Sequence, residues 1–166
     1  MTEATMTKQT ADIHVLGSKT VDTETLLTFR LDDQTFGISV GLVSEIIDPQ
    51  KTTRVPNADA LAPTLINVRG SIVPVLNLRY RLGMKPAEKL HTSRMLVIDM
   101  PQNGGSSKLA IMADEVQDVI EANVEEIDKV PGLGIRWPTE CFRGVAKRNE
   151  KLVILVHAEN AFSLAA

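Results

Sequence analysis

The chain has one cysteine, Cys141, so no intrachain disulfide can form, and one thiol in 166 residues fits a reducing compartment. Aromatic residues make up 4%, and Phe29, Phe36, Tyr80, Trp137, Phe142 and Phe162 are too dispersed to form a base-stacking platform. Neither charge sign dominates. Eighteen basic residues against 21 acidic ones give a net charge of −3, with no basic stripe, so nucleic acid is not an expected partner. No apolar run reaches the length needed to span a bilayer, and the polar N-terminus lacks the apolar centre of a signal peptide. A cytoplasmic protein without membrane insertion is expected.

Catalytic and metal-ligating spacings are missing too. His14, His91 and His157 lie in a polar tail, a connector and a strand end, and no His-x-x-x-His, Cys-x-x-Cys or Gly-x-Ser-x-Gly occurs. Gly132-Leu133-Gly134 lacks the Lys-Ser/Thr of a phosphate loop. Asp114, Glu115, Asp118, Glu121, Glu125, Glu126 and Asp128 lack the spacing and central glycine of a calcium loop and read as a solvated face. Cys141 reads as a small buried hydrophobe and His157 as a packed or capping residue. No enzyme, cofactor or metal is expected.

What the chain does contain is a succession of short β-branched runs punctuated by turns. Residues 1–23 carry only Ile13, Val15 and Leu16 as apolar content and read as a flexible tail. Strands are expected at 26–31, 35–40, 52–55, 94–100, 108–113, 142–145 and 152–157, the last two forming a hairpin across a charged turn at 147–151. Gly41–Ile47 reads as a bend passing into a strand, a motif that Glu115–Ile120 repeats. Asn57–Pro63 reads as a loop with one helical turn, Pro101–Ser107 as a loose turn, and 158–164 as a short helix. The most informative stretch is Leu65–Leu82, LINVRGSIVPVLNLRYRL. Gly70 suits a tight turn between two apolar strands, Arg69 is the one strongly polar side chain of its first half, and Pro74 points to a sheet edge or bulge.

One order of landmarks occurs twice. Phe36–Ile47 matches Leu109–Ile120 at an offset of 73, Val55-Pro56 matches Val130-Pro131 at 75, and Arg69-Gly70 matches Arg143-Gly144 at 74. Two small β units, at about 26–83 and 94–160, are expected to share an interface, since each alone is marginal in size. A groove between them is a natural place for a partner.

The residues Phe29-x-Leu31, Phe36-Gly37-Ile38, Val43-x-Glu45-Ile46, Val55-Pro56, Asn67-x-Arg69-Gly70-x-Ile72-x-Pro74-Val75, Leu78-Arg79 and Ile111-x-x-Asp114-x-Val116-x-x-Val119 resemble the CheW family of chemotaxis coupling proteins. The resemblance runs from about Leu26 to Leu164. It implies a mainly β fold of two tandem five-stranded SH3-like barrels with short helical turns, over residues 24–164. It also implies a non-enzymatic adaptor between the cytoplasmic tips of methyl-accepting chemotaxis receptors and the regulatory domain of the histidine kinase CheA, recruited to membrane-associated arrays. Carried over position by position, Val43, Glu45, Thr64, Asn67, Arg69, Ser93, Arg94, Met95 and Leu96 become partner-binding candidates, with Glu45 and Arg69 able to pair. Thr64 departs from the glycine of many members. A CheW-like scaffold of a surface-motility or second-messenger array is the alternative, and the close of the chain after the last strand favours a stand-alone adaptor. A small β-barrel enzyme or ligand carrier is the rival of another class.

Overall fold

A computed structural model describes residues 21–102, 104–130 and 138–163; most of the expected tail and the 131–134 part of the expected loop lie outside these residues. Eleven strands are described: β1 (Thr23–Leu31), β2 (Gln34–Ser39), β3 (Val43–Ile47), β4 (Thr53–Arg54), β5 (Thr64–Val68), β6 (Ser71–Leu76), β7 (Arg94–Gln102), β8 (Gly105–Ala113), β9 (Glu115–Asn123), β10 (Phe142–Arg148) and β11 (Lys151–Val156). One-turn helices α1 (Leu78–Arg81) and α2 (Ala158–Ala161) follow β6 and β11.

The strands form two sheets, ordered β10-β11-β2-β1-β9 and β3-β7-β8-β6-β5-β4. Each curls into a barrel that the chain itself closes. After β9 the backbone returns to pair Asp128 with Val145 of β10, and after β3 it returns as β4 against β5. Closure is tight at Gly144, where a Cβ would stand 2.6 Å from the carbonyl oxygen of Asp128.

The sheets do not follow the two sequence halves. The second sheet is continuous, β3–β8, and forms an inserted barrel; β1 and β2 cross over to join β9–β11 in a split barrel. The expected units at 26–83 and 94–160 have thus exchanged their first hairpins. The exchange is reciprocal, so the two barrels are related by an approximate twofold. Gly37 lies parallel to Leu155 just as Ala110 lies parallel to Val75. The Asn77 N–H donates to the carbonyl of Leu61 at 2.6 Å, as that of His157 does to Cys141 at 2.7 Å.

This symmetry keeps the 73-residue match and corrects the Arg69-Gly70 landmark. Arg69 and Gly70 form the β5–β6 turn, whereas Arg143 and Gly144 lie inside β10, whose turn to β11 is Asn149-Glu150. The true equivalent of Arg69 lies 80 positions on. Both turns hold two residues at positive φ (51° and 87°; 47° and 67°), the handedness that lets a two-residue hairpin follow strand twist.

Hairpin exchange explains why β7 reads as a nearly unbroken apolar run: both of its faces are covered. Met95 and Val97 point into the inserted barrel with Ile66, Val68, Val73 and Ala110. Leu96, Ile98 and Met100 point the other way, into the largest core, which fills the seam between the barrels with Leu27, Phe29, Leu31, Phe36, Ile38, Leu109, Ile111 and Phe142. Phe36 stacks with Phe29 and Phe142, at centroid distances of 5.8 and 6.3 Å. Full burial of each such side chain contributes about 1.5–3 kcal/mol over exposure, so the seam is a principal source of stability.

Four local expectations change. β6 is an interior strand despite Pro74, because its second neighbour, β8, pairs only from Val75 onward. Residues 57–63 form turns without a helix, Asp59 accepting the Leu61 N–H. β7 and β8 extend to Gln102 and Gly105, which pair with each other inside the 101–107 stretch that reads as loose. The repeated bend falls at Asp114, one residue before the stretch expected to carry it, and all of Glu115–Asn123 is the nine-residue strand β9. Its register shift is patched by the buried Thr28, whose hydroxyl donates to the Asp118 carbonyl at 3.0 Å and accepts the Asp118 N–H at 2.9 Å.

Candidate interaction surface

β3 ends its sheet, hydrogen-bonded on one side only, so its outer edge is open to pairing by another chain. Glu45 at its centre reaches across to the β5–β6 turn, where its carboxylate meets Arg69 at 3.0 Å. The Arg69 side chain is 82% exposed. Its backbone sits in the left-handed region, where an L-residue costs about 1–2 kcal/mol, and an exposed ion pair returns about 0–1 kcal/mol. The pair therefore does not hold the fold; it fixes the direction of a guanidinium that projects into solvent. Asn67 shapes the same turn by accepting the Gly70 N–H at 2.8 Å. Ile72, just past the turn, and Ile46 of β3 are exposed apolar side chains on this barrel.

The other candidates separate by burial. Val43, half-buried, packs on the rim of the seam core. Thr64 opens β5 and lines a cleft of about 300 Å³ together with Asn77, Arg79, Met112, Asp114 and the 86–89 connector. Arg94 is half-buried, donating to the carbonyl of Ser93 at 2.7 Å and facing Asp48 at 3.5 Å. Ser93, Met95 and Leu96 do not belong to the surface. The Ser93 hydroxyl accepts the Leu90 N–H at 2.8 Å inside the turn that launches β7, while Met95 and Leu96 are 0% exposed because β7 is covered on both faces. The groove expected between the barrels is likewise filled by the seam core over most of its length.

Sequence reasoning missed the most constrained polar cluster. Arg79 of α1 lies 2.6 Å from Asp114 and 2.9 Å from Asp32, and Asp114 also accepts the Asp32 N–H at 2.8 Å. Asp114 thus leaves the solvated acidic face to which its neighbours belong: its side chain is 9% exposed. Burial acts to lower the Arg79 pKa, but the hydrogen bonds and charges of the two carboxylates outweigh it and the net shift is upward. Leu78-Arg79 and Ile111-x-x-Asp114 both stand among the family motifs, and an unexplained arginine and aspartate in such motifs are the signal that could have paired them.

Elsewhere Glu24 of β1 and Arg143 of β10 form a two-pronged pair within the split barrel. The Arg143 hydrogen bond lowers the Glu24 pKa against the opposing effect of burial. Cys141 is fully buried, and desolvation pushes its thiol pKa up, with Arg81 opposing. The His157 ring accepts the Asn160 N–H at 3.3 Å and caps α2, as expected.

A sequence model described as the CheW-like domain matches residues 25–166. The chain belongs to the CheW-like family. Relatives include the probable chemotaxis protein CheW of Rhizobium etli, 28% identical over 138 residues, covering 83% of this chain and 86% of that protein. The chemotaxis protein CheW of Thermotoga maritima is 34% identical over 129 residues, covering 78% and 81%. The scaffolding protein TtCheW from Thermoanaerobacter tengcongensis shares the fold, with a TM-score of 0.75 at 24% identity over 86% of this chain and 90% of that one. As a CheW-like protein the chain is mainly β with two barrels. No described helix is long and apolar enough to cross a membrane.

Proposed function

We propose that this protein is a non-enzymatic chemotaxis adaptor that couples the cytoplasmic tips of methyl-accepting receptors to the regulatory domain of the histidine kinase CheA. It works from the cytoplasm and is recruited to receptor arrays at the membrane. Membership of the CheW-like family and the names of its chemotaxis relatives support this reading. The observation that carries it is Arg69, aimed outward by Glu45 from a backbone conformation unfavourable to an arginine. The positive φ belongs to the two-residue turn, where glycine would be less strained, so what favours a contact role is the exposed guanidinium that the turn and Glu45 hold outward.

Val43, Glu45, Thr64, Asn67, Arg69 and Arg94 form or border the receptor-side surface. The open β3 edge offers backbone pairing, and exposed Ile46 and Ile72 offer apolar contact. Receptor state then reaches the kinase as a difference in binding free energy, with no covalent step in the adaptor. The test is co-sedimentation with receptor-bearing membranes, with and without CheA. Arg69→Glu places two carboxylates together and should sharply reduce capture while leaving the thermal midpoint nearly unchanged. Undiminished capture would remove Arg69 from the contact surface.

A further inference from the structure

The approximate twofold gives the seam two equivalent clefts, and they are fastened differently. The first is the 300 Å³ cleft beside α1, already described. The second, about 230 Å³, lies beside α2 and is lined by Ser39, Leu42, Arg143, Val156, His157, Ala158 and Glu159. Element by element they correspond: His157 caps α2 where Asn77 caps α1, and Val156 stands for Leu76.

The difference is in the charged groups. At the first cleft Arg79 of the inserted barrel grips Asp32 of the split barrel and Asp114 at the β8–β9 corner, and donates to the Lys85 carbonyl at 3.1 Å. The Asp114 N–H also donates to the Arg30 carbonyl at 2.9 Å, and its carbonyl accepts the Thr92 hydroxyl at 2.7 Å. At the second cleft Glu159 stands in place of Arg79 and Gly41, at the β2–β3 corner, in place of Asp114. Among the described residues no ion pair crosses that cleft. Between the clefts α1 and α2 meet at the pseudo-axis, where the Arg81 guanidinium donates to the Asn160 carbonyl at 2.6 Å.

We propose that the Asp32–Arg79–Asp114 cluster is a one-sided lock that makes the seam a hinge: the barrels pivot at the locked side and part at the cleft between Leu42 and α2. The backbone crosses the seam at both corners, between Ser39 and Val43 and between Ala113 and Glu115. Among the described residues only the second crossing is also fastened by charged side chains, so the softer direction is opening at the corner held by backbone and packing alone. That opening changes the angle between the barrels, and with it the relative positions of any partners held on each.

The test transplants the lock. Gly41 has room for a side chain, since a Cβ there would meet only the Ser39 hydroxyl at 3.9 Å. Gly41→Asp with Glu159→Arg therefore builds an ion pair across the second cleft in the protein's own geometry. Spin labels at Lys51→Cys on the inserted barrel and Glu121→Cys on the split barrel read the inter-barrel distance. The otherwise unchanged protein should give a broad distribution. The transplanted lock should remove its long-distance shoulder, and Arg79→Ala should broaden it. A distribution already narrow in the unmodified barrels and unchanged by either alteration would overturn the hinge.

Discussion

Arg79 and Arg69 show how differently two arginines in one protein are used. Arg79 is held between the buried Asp114 and the half-exposed Asp32 at the edge of the seam, so its removal would leave Asp114 buried without a counter-charge. Arg79→Ala should therefore cost about 3 kcal/mol, read as a lower urea midpoint, because breaking a buried pair strands the remaining ion. At Glu150 the argument runs the other way. Its φ of 67° belongs to the left-handed region, and no ion pair or side-chain hydrogen bond among the described residues involves it. Glu150→Gly should raise stability by about 0.5–1 kcal/mol in the same melts, since glycine adopts that conformation without a Cβ clash. Glycine at Arg69 would relieve the same strain but remove the projecting guanidinium.

Among the elements, the split barrel is the one whose parts lie far apart in the chain, and Glu24–Arg143 joins its first strand to β10. The arginine holds the Glu24 carboxyl below its ordinary pKa, so the pair's stabilisation is fully present above the unfolded value, about 4.3, and is lost as pH falls through the lower folded value. Melts of the native protein and Glu24→Gln should differ at pH 6 and converge toward pH 3. The elements were also the most legible in the sequence. Alternating and continuous β-branched runs located β1, β2, β7, β8 and β11 closely, and the Arg69-Gly70 turn was read correctly. Strand ends at 101–107 were misjudged because Pro, Asn, Gly and Ser favour turns locally, while nine-residue cross-strand pairing overrode that preference.

At the scale of the molecule, hairpin exchange makes the two halves dependent on each other. A fragment of residues 1–83 has β1 and β2 but lacks β9 and β11, their partners, and has β3 and β6 without β7 and β8. It should be unfolded alone by circular dichroism and regain β signal when mixed with residues 84–166. Independent folding of either half would contradict the pairing. The intact chain should unfold in one cooperative transition, because the seam core draws on both barrels.

By itself the sequence determined the β class, the duplicated pattern and the family resemblance, which in turn implied the Glu45–Arg69 pair, because the first three rest on local spacing or on motifs read in order. Only the tertiary structure decided which half each hairpin joins, that Met95 and Leu96 face inward, and that Asp114 is buried against Arg79. These depend on contacts between residues distant in the chain, and strand periodicity tells which side chains share a face without telling what that face will meet.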